Sequence, residues 1–120
     1  MDLDLVFLGT AASAPTAQRG PSALLVRRGG ERLLVDCGEG TQRQLLRSNV
    51  GLVDLREVFL THYHADHYLG LPGMMKTFAL RGRRRGRGAQ EDDVEVHDAR
   101  SLRPPRRASC GPGRGGTTAA

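Results

Sequence analysis

Three of the chain's four histidines stand between positions 62 and 67, in the stretch LTHYHADHYLG at residues 60–70. The run before it, REVFLT (56–61), has the composition of a short β-strand. A cluster of imidazoles with one carboxylate at a strand end limits what the chain can become. Alternate side chains of an extended segment share a face. If that geometry carries into the loop, His62 and His64 point the same way and can bind one divalent metal ion. Asp66 and His67 lie just beyond, where the chain turns towards a helix, and can face a second ion nearby. Imidazole nitrogen with carboxylate oxygen suits Zn²⁺, with Mn²⁺ or Fe also compatible.

Two such ions about 3.5–4 Å apart lower the pKa of a water between them and stabilise charge on an attacked ester and its leaving oxygen. Asp66 is then both a metal ligand and a candidate proton acceptor. A lone histidine is ordinarily a surface or satisfied core residue, but three with an aspartate in this spacing are rarely accidental. Two ions with three or four protein ligands each need more donors than the loop supplies. The remaining histidine, His97, lies in a low-complexity tail. Asp92, Asp93, Asp98 and Cys110 lie there too, with nothing in the sequence to position them.

The rest of the chain supplies mixed strands and helices. At 120 residues there is room for one small domain. LDLVFLGT (3–10) is almost continuously apolar, as for a strand buried on both faces, and Gly9 ends it. Residues 11–22 form a loop broken by Pro15, Gly20 and Pro21. The apolar runs 23–26 and 33–36 flank Gly29-Gly30 as a hairpin. Thr41 can cap a short helix that carries Leu45 and Leu46 on one face and stops at Asn49 or Gly51. After the histidines, Leu71, Met74, Met75, Phe78 and Leu80 keep near-helical spacing. Pro72 fits the first turn and Gly82 fits just past the end. This alternation of strand and helix points to an α/β layered fold.

Beyond Leu80 the character changes. Residues 1–80 carry eight Lys and Arg against eight acids, whereas 81–120 carry ten Arg against five. The net charge of +5 therefore belongs to the tail. With few sizeable apolar residues, 83–120 is expected to be mostly disordered, VEVH making at most a short strand. No secretory signal opens the chain, and no apolar run approaches the roughly 20 residues of a membrane span. Cys37 and Cys110 form no CxxC motif, so a reduced, cytoplasmic setting is expected.

FLGTAASAPTAQRGPSALLV, LLVDCGEGTQRQLLRS and FLTHYHADHYLGLPGMMKTFALRGR together resemble the amino-terminal third of the ribonuclease Z family, the tRNA 3′-processing endonucleases of the metallo-β-lactamase superfamily. The DCGEGTQRQ block and the GLPG after the histidines carry the narrower resemblance, which covers about residues 3–83. It implies an αββα sandwich, with residues 1–82 as its amino-terminal part, and two zinc ions per subunit at the sheet edge. It places His62 and His64 on one zinc, Asp66 and His67 on the other, and makes Asp66 the proton acceptor. It further implies a homodimer, with no membrane partner, that cuts precursor tRNA after the discriminator base and leaves a 3′ hydroxyl on the tRNA.

The family continues for roughly another 200 residues, which supply a further histidine for each zinc, a bridging aspartate and a tRNA-gripping arm. After ALRGR it enters a β-strand and a YGP-like turn, where this chain has Arg/Gly/Pro-rich sequence. The tail thus reads as an out-of-frame translation of a GC-rich gene, with a basic RNA-binding arm as the alternative. In the latter case RRRGR (83–87) would contact phosphates. The other functional readings are a lactone- or thioester-cleaving hydrolase of the same superfamily and a non-catalytic fragment with a basic tail. Asp36, Glu39 and Thr41 either orient metal ligands or close the turn into the helix. Cys37 reads as a small buried hydrophobe, and Ser13 has no evident base beside it.

Overall fold

Short apolar runs separated by glycine turns form a single mixed sheet. The computed structural model describes residues 2–52, 54–84 and 94–98, with 82–84 as backbone only. Among these described residues five strands, β1 (Leu3–Gly9), β2 (Ala23–Arg28), β3 (Glu31–Val35), β4 (Glu57–Leu60) and β5 (Glu95–Asp98), lie side by side in chain order. β1 pairs with β2, and β2 with β3, in antiparallel fashion. β3, β4 and β5 run parallel. Parallel neighbours need a crossover, and α1 (Thr41–Arg47) and α2 (Leu71–Arg84) lie in the two that occur.

The β2–β3 hairpin closes on Gly29-Gly30 as expected. Arg28 pairs with Glu31, and Gly29 takes a left-handed φ of 58°. Register then sorts the side chains into two faces. One cross-strand row runs Val6, Leu25, Leu34, Val58, Val96. Its central three residues are fully buried, in one cluster with Leu45 of α1, Leu71 and Met74 of α2, and Leu52 and Leu55 of the connection. The opposite face carries the row Phe7, Leu24, Val35, Phe59, His97. There Leu3, Leu5 and Phe7 are 61%, 53% and 68% exposed. The α/β layering is present as helices packed on one face of the sheet.

Several expectations are corrected. β1 is an edge strand covered on one face, not both, because the second face has no layer over it among the described residues. Thr41 is the first residue of α1 rather than its cap. Gly40, at φ 83°, occupies the cap position without a side-chain bond, and the Thr41 hydroxyl turns back to the Gly38 carbonyl at 2.7 Å. Leu45 is buried while Leu46 is half exposed, since successive helical residues point about 100° apart. α1 ends at Arg47, and the N–H of Gly51, left-handed at φ 66°, closes onto the Leu45 carbonyl. α2 runs through Gly82 to Arg84. The short strand allowed at VEVH does occur, as Glu95–Asp98, and it pairs in parallel with β4. The rest of the stretch read as disordered, 85–93 and 99–120, lies outside the described residues.

Two outcomes follow. Met74→Ala should lower the unfolding free energy by about 2–4 kcal/mol in urea denaturation, because the site is fully buried. Its neighbour Met75, 46% exposed, should cost under about 0.5 kcal/mol on the same substitution. The uncovered face should make the isolated chain bind a hydrophobic dye and scatter light, and Phe7→Lys should reduce both. A dye-silent, monodisperse solution of the unsubstituted chain would contradict this.

Candidate metal centre

Parallel pairing brings the C-terminal ends of β3, β4 and β5 to one sheet edge. Asp36 is the first residue past β3, Thr61 the first past β4 and Asp98 the last of β5. Asp36 extends the ladder by one bond, its N–H donating to the Phe59 carbonyl at 2.7 Å. It then adopts a left-handed φ of 60°, which Asp tolerates better than most residues. That turn buries its carboxylate, leaving the residue 4% exposed.

The buried carboxylate is fully used. The Thr61 N–H donates to Oδ1 at 2.8 Å, the Thr61 hydroxyl lies 3.0 and 2.9 Å from the two oxygens, and His67 Nδ1 lies 2.7 Å from Oδ2. These contacts fix tautomers. The Thr61 hydroxyl has one proton, which goes to Asp36, so its oxygen accepts from His62 Nδ1 at 2.9 Å. His67 likewise donates through Nδ1. In both rings Nε2 is then the atom left to face outward, the arrangement that metal-binding histidines use.

The four expected residues come together as two adjacent pairs. His62 Nε2 stands 3.1 Å from His64 Nδ1. His67 Nε2 stands 3.4 Å from Asp66 Oδ2. The rings of His62 and His67 are 3.9 Å apart between centroids, which sets the pairs side by side. Two ligand atoms on one tetrahedral zinc, each about 2.0–2.1 Å from it, stand about 3.3 Å from one another. Each pair therefore has the separation and donor chemistry to hold one ion. Among the described residues no group of three or more His, Cys, Asp or Glu is arranged around one point. The donors fit zinc in kind and come two to an ion.

Close main-chain contact holds this edge together. Cys37 N–H donates to the His67 carbonyl at 2.7 Å, and Gly70 N–H donates to the Cys37 carbonyl at 2.9 Å. A Cβ on Gly70 would lie 2.1 Å from the Gly38 carbonyl oxygen, and one on Gly38 would meet Pro21 and the Asp66 carbonyl at 2.6 and 2.7 Å. Glycine is required at both places by the approach of neighbouring backbone. Cys37 itself is inert. Burial pushes its thiol up to about 12, against a smaller opposing effect of the Thr41 hydroxyl, so it offers no thiolate to a metal.

The other sequence candidates fall into place. Of DCGEGT, Asp36 orients the histidines, Thr41 closes the turn, and Glu39 is exposed beside a hollow of about 310 Å³ between α1 and α2 that contains no donor histidine. His97 is not with the other histidines. It sits on the uncovered face, stacked on Phe59 at 4.7 Å. Asp98, which the sequence left unplaced, is brought by β5 to the histidine loop, where its Oδ2 accepts from the Tyr63 hydroxyl at 2.5 Å. Thr61 was missed as a site residue; its place between the strand and the first histidine was the available signal. Among the described residues no helix is long and apolar enough to cross a membrane.

Residues 17–105 match the metallo-beta-lactamase superfamily. The chain is 49% identical over 82 residues to the ribonuclease Z of Methanosarcina acetivorans, a match covering 68% of this chain and 27% of that protein. It is 42% identical over 103 residues to the zinc phosphodiesterase ELAC protein 1 of Bos taurus, covering 86% and 28% respectively. Its fold superposes on human tRNase Z, short form, with a TM-score of 0.62 and 47% identity, over 64% of this chain and 30% of that one. The matches thus span between a quarter and a third of each relative's length.

Removing the buried carboxylate should disturb both stability and ring orientation. Asp36→Ala strands the Thr61 and His67 donors and is expected to cost about 2–4 kcal/mol in denaturant unfolding. Thr61→Val should cost less and leave the His67 contact in place, visible in the histidine ring ¹⁵N shifts as a change at His62 alone.

Proposed function

The chain belongs to the metallo-beta-lactamase superfamily, and from that premise we propose that it forms the histidine-bearing part of a zinc-dependent endoribonuclease that removes 3′ trailers from precursor tRNA. The similarity to proteins named ribonuclease Z, zinc phosphodiesterase and tRNase Z supports the substrate and the metal. Cytoplasmic location and homodimeric assembly belong to the same reading. Because the chain spans about a quarter of the curated relatives' length, the activity is that of the whole protein, with this segment supplying one side of the centre.

In this reading His62 and His64 hold one zinc, and Asp66 and His67 the other. When bound, the two ions supply a water of lowered pKa and positive charge beside the scissile phosphate. The chain's own residues perform the rest. Asp36 holds His67 directly and His62 through Thr61, so neither ring must be reoriented when substrate arrives. Asp66, at the mouth of the loop, takes the proton of the attacking water. The phosphodiester bond then opens with the 3′ hydroxyl left on the tRNA and the phosphate on the trailer.

The observation that carries this reading is the pair of donor sets, 3.1 and 3.4 Å across, braced by one buried carboxylate. A graft tests it. Residues 3–83 placed in the corresponding part of the Methanosarcina acetivorans ribonuclease Z should give a zinc-binding enzyme that cleaves a 3′-extended tRNA. Asp66→Asn in the graft should lower the cleavage rate by at least about 100-fold. A graft that folds and binds zinc yet leaves the tRNA intact, or that hydrolyses a lactone or thioester instead, would sink the proposal.

A further inference from the structure

Gly73 stands in the first turn of α2 without the crowding that explains Gly38 and Gly70. At those two positions neighbouring main chain leaves no room for a side chain. A Cβ on Gly73 would meet nothing closer than Gln42 Oε1, at 3.9 Å. Glycine inside a helix weakens it relative to alanine, so the open space above Gly73 is unfavourable to the fold taken alone. That space belongs to the hollow of about 310 Å³ between α1 and α2. Gln42 of α1 donates to the Thr77 hydroxyl of α2 at 2.6 Å and fixes the spacing of the two walls.

The rim of the hollow is apolar on both sides. Leu46 of α1 and Leu69, just before α2, line it, and each is half exposed. Leu80, two turns beyond Gly73 and so on the same side of α2, is half exposed as well. Two charges complete the rim, Glu39 ahead of α1 and Arg43 within it. Among the described residues no ion pair takes up either charge. One acid and one base on the same rim are self-complementary. Across a two-fold axis Glu39 of one copy faces Arg43 of the other, and the contact is made twice. An RNA backbone would meet Glu39 as a like charge, and a peptide of one charge sign would leave one of the two groups unanswered.

We propose that the α1–α2 hollow docks a second copy of this chain, with Leu46 of each copy seated over Gly73 of the other and two Glu39–Arg43 pairs closing the ends. Burial of the leucines supplies the attraction, and the charges fix the orientation. An isologous contact of this kind closes on itself and stops at two chains. The surface adjoins the metal centre. Leu69 and Gly70 follow His67 along the chain, and the Gly70 N–H is bonded to the Cys37 carbonyl. A docked copy therefore lies against the turn that carries the second donor pair. The proposal rests on the homodimeric part of the functional reading and names its contact, and it requires neither metal nor tRNA cleavage.

The test is sedimentation equilibrium of the full 120-residue chain carrying Phe7→Lys, which blunts association through the uncovered sheet face. This parent should show a monomer–dimer equilibrium. Glu39→Arg and Arg43→Glu should each raise its dissociation constant about 10-fold or more, because each sets two like-charge pairs across the axis. The Glu39→Arg/Arg43→Glu double reversal should return it to within about 3-fold of the parent. Gly73→Leu fills the hollow from within; it should leave the urea midpoint no lower than the parent's and the chain monomeric. A parent that is monomeric throughout, single reversals that change nothing, or a double reversal no tighter than the single ones overturns the proposal. A monomeric parent that binds a 3′-extended tRNA, and loses that binding in Gly73→Leu, overturns it in favour of RNA at this face. A dimer that obeys the reversals, beside a graft that leaves tRNA intact, removes the proposed activity and upholds the contact.

Discussion

One buried carboxylate organises the metal edge of this molecule. Asp36 leaves β3 in a left-handed turn, and its two oxygens receive the main chain and hydroxyl of Thr61 together with the ring of His67. A charge removed from water is costly unless it is hydrogen-bonded on every side. Among the described residues no buried side-chain oxygen or nitrogen lacks a partner. The arrangement is therefore mutual. The carboxylate is tolerable because the histidine loop folds over it, and the loop has its shape because the carboxylate needs those donors.

The remaining features of the edge serve that closure. For His67 to reach Asp36, the chain after β4 must come back across the end of β3, and it does so with main chain lying on main chain. This accounts for Gly38 and Gly70 facing one another and for the two main-chain hydrogen bonds that join Cys37 to His67 and Gly70. α2 starts directly afterwards, and its buried residues Leu71 and Met74 join the same core cluster as Leu34 and Val58. Packing of the helix and placement of the donors are thus one event. A side chain at either glycine would lift the helix and the histidine together.

The first four strands, the hairpin and the clustering of His62, His64, Asp66 and His67 at a strand end were legible in the sequence because each rests on local pattern: short apolar runs, a twin-glycine turn, and close spacing along the chain. The partnership of Asp36 with His67 was not, because 31 residues separate them and only parallel pairing of β3 with β4 brings them together. Asp36 carried the same ambiguity as Glu39 and Thr41 in one short block, and tertiary position alone separates the three. The cap of α1 was misplaced because a left-handed glycine can do without the hydroxyl that local rules favour. β5 was hard to see because four residues of ordinary composition stand among arginines and glycines. Its evidence is the row it completes, in which Val96 continues Val58 and His97 continues Phe59.

The order of the strands across the sheet is also their order along the chain. No strand has to be inserted between two that already pair. As the polypeptide leaves the ribosome, each new segment finds its template in the one made just before it, and the sheet can grow by accretion along a single advancing margin. By the time residue 70 has emerged, the carboxylate, both donor pairs and the glycine contacts have all been synthesised. The centre can take shape on a nascent chain, ahead of whatever is translated next.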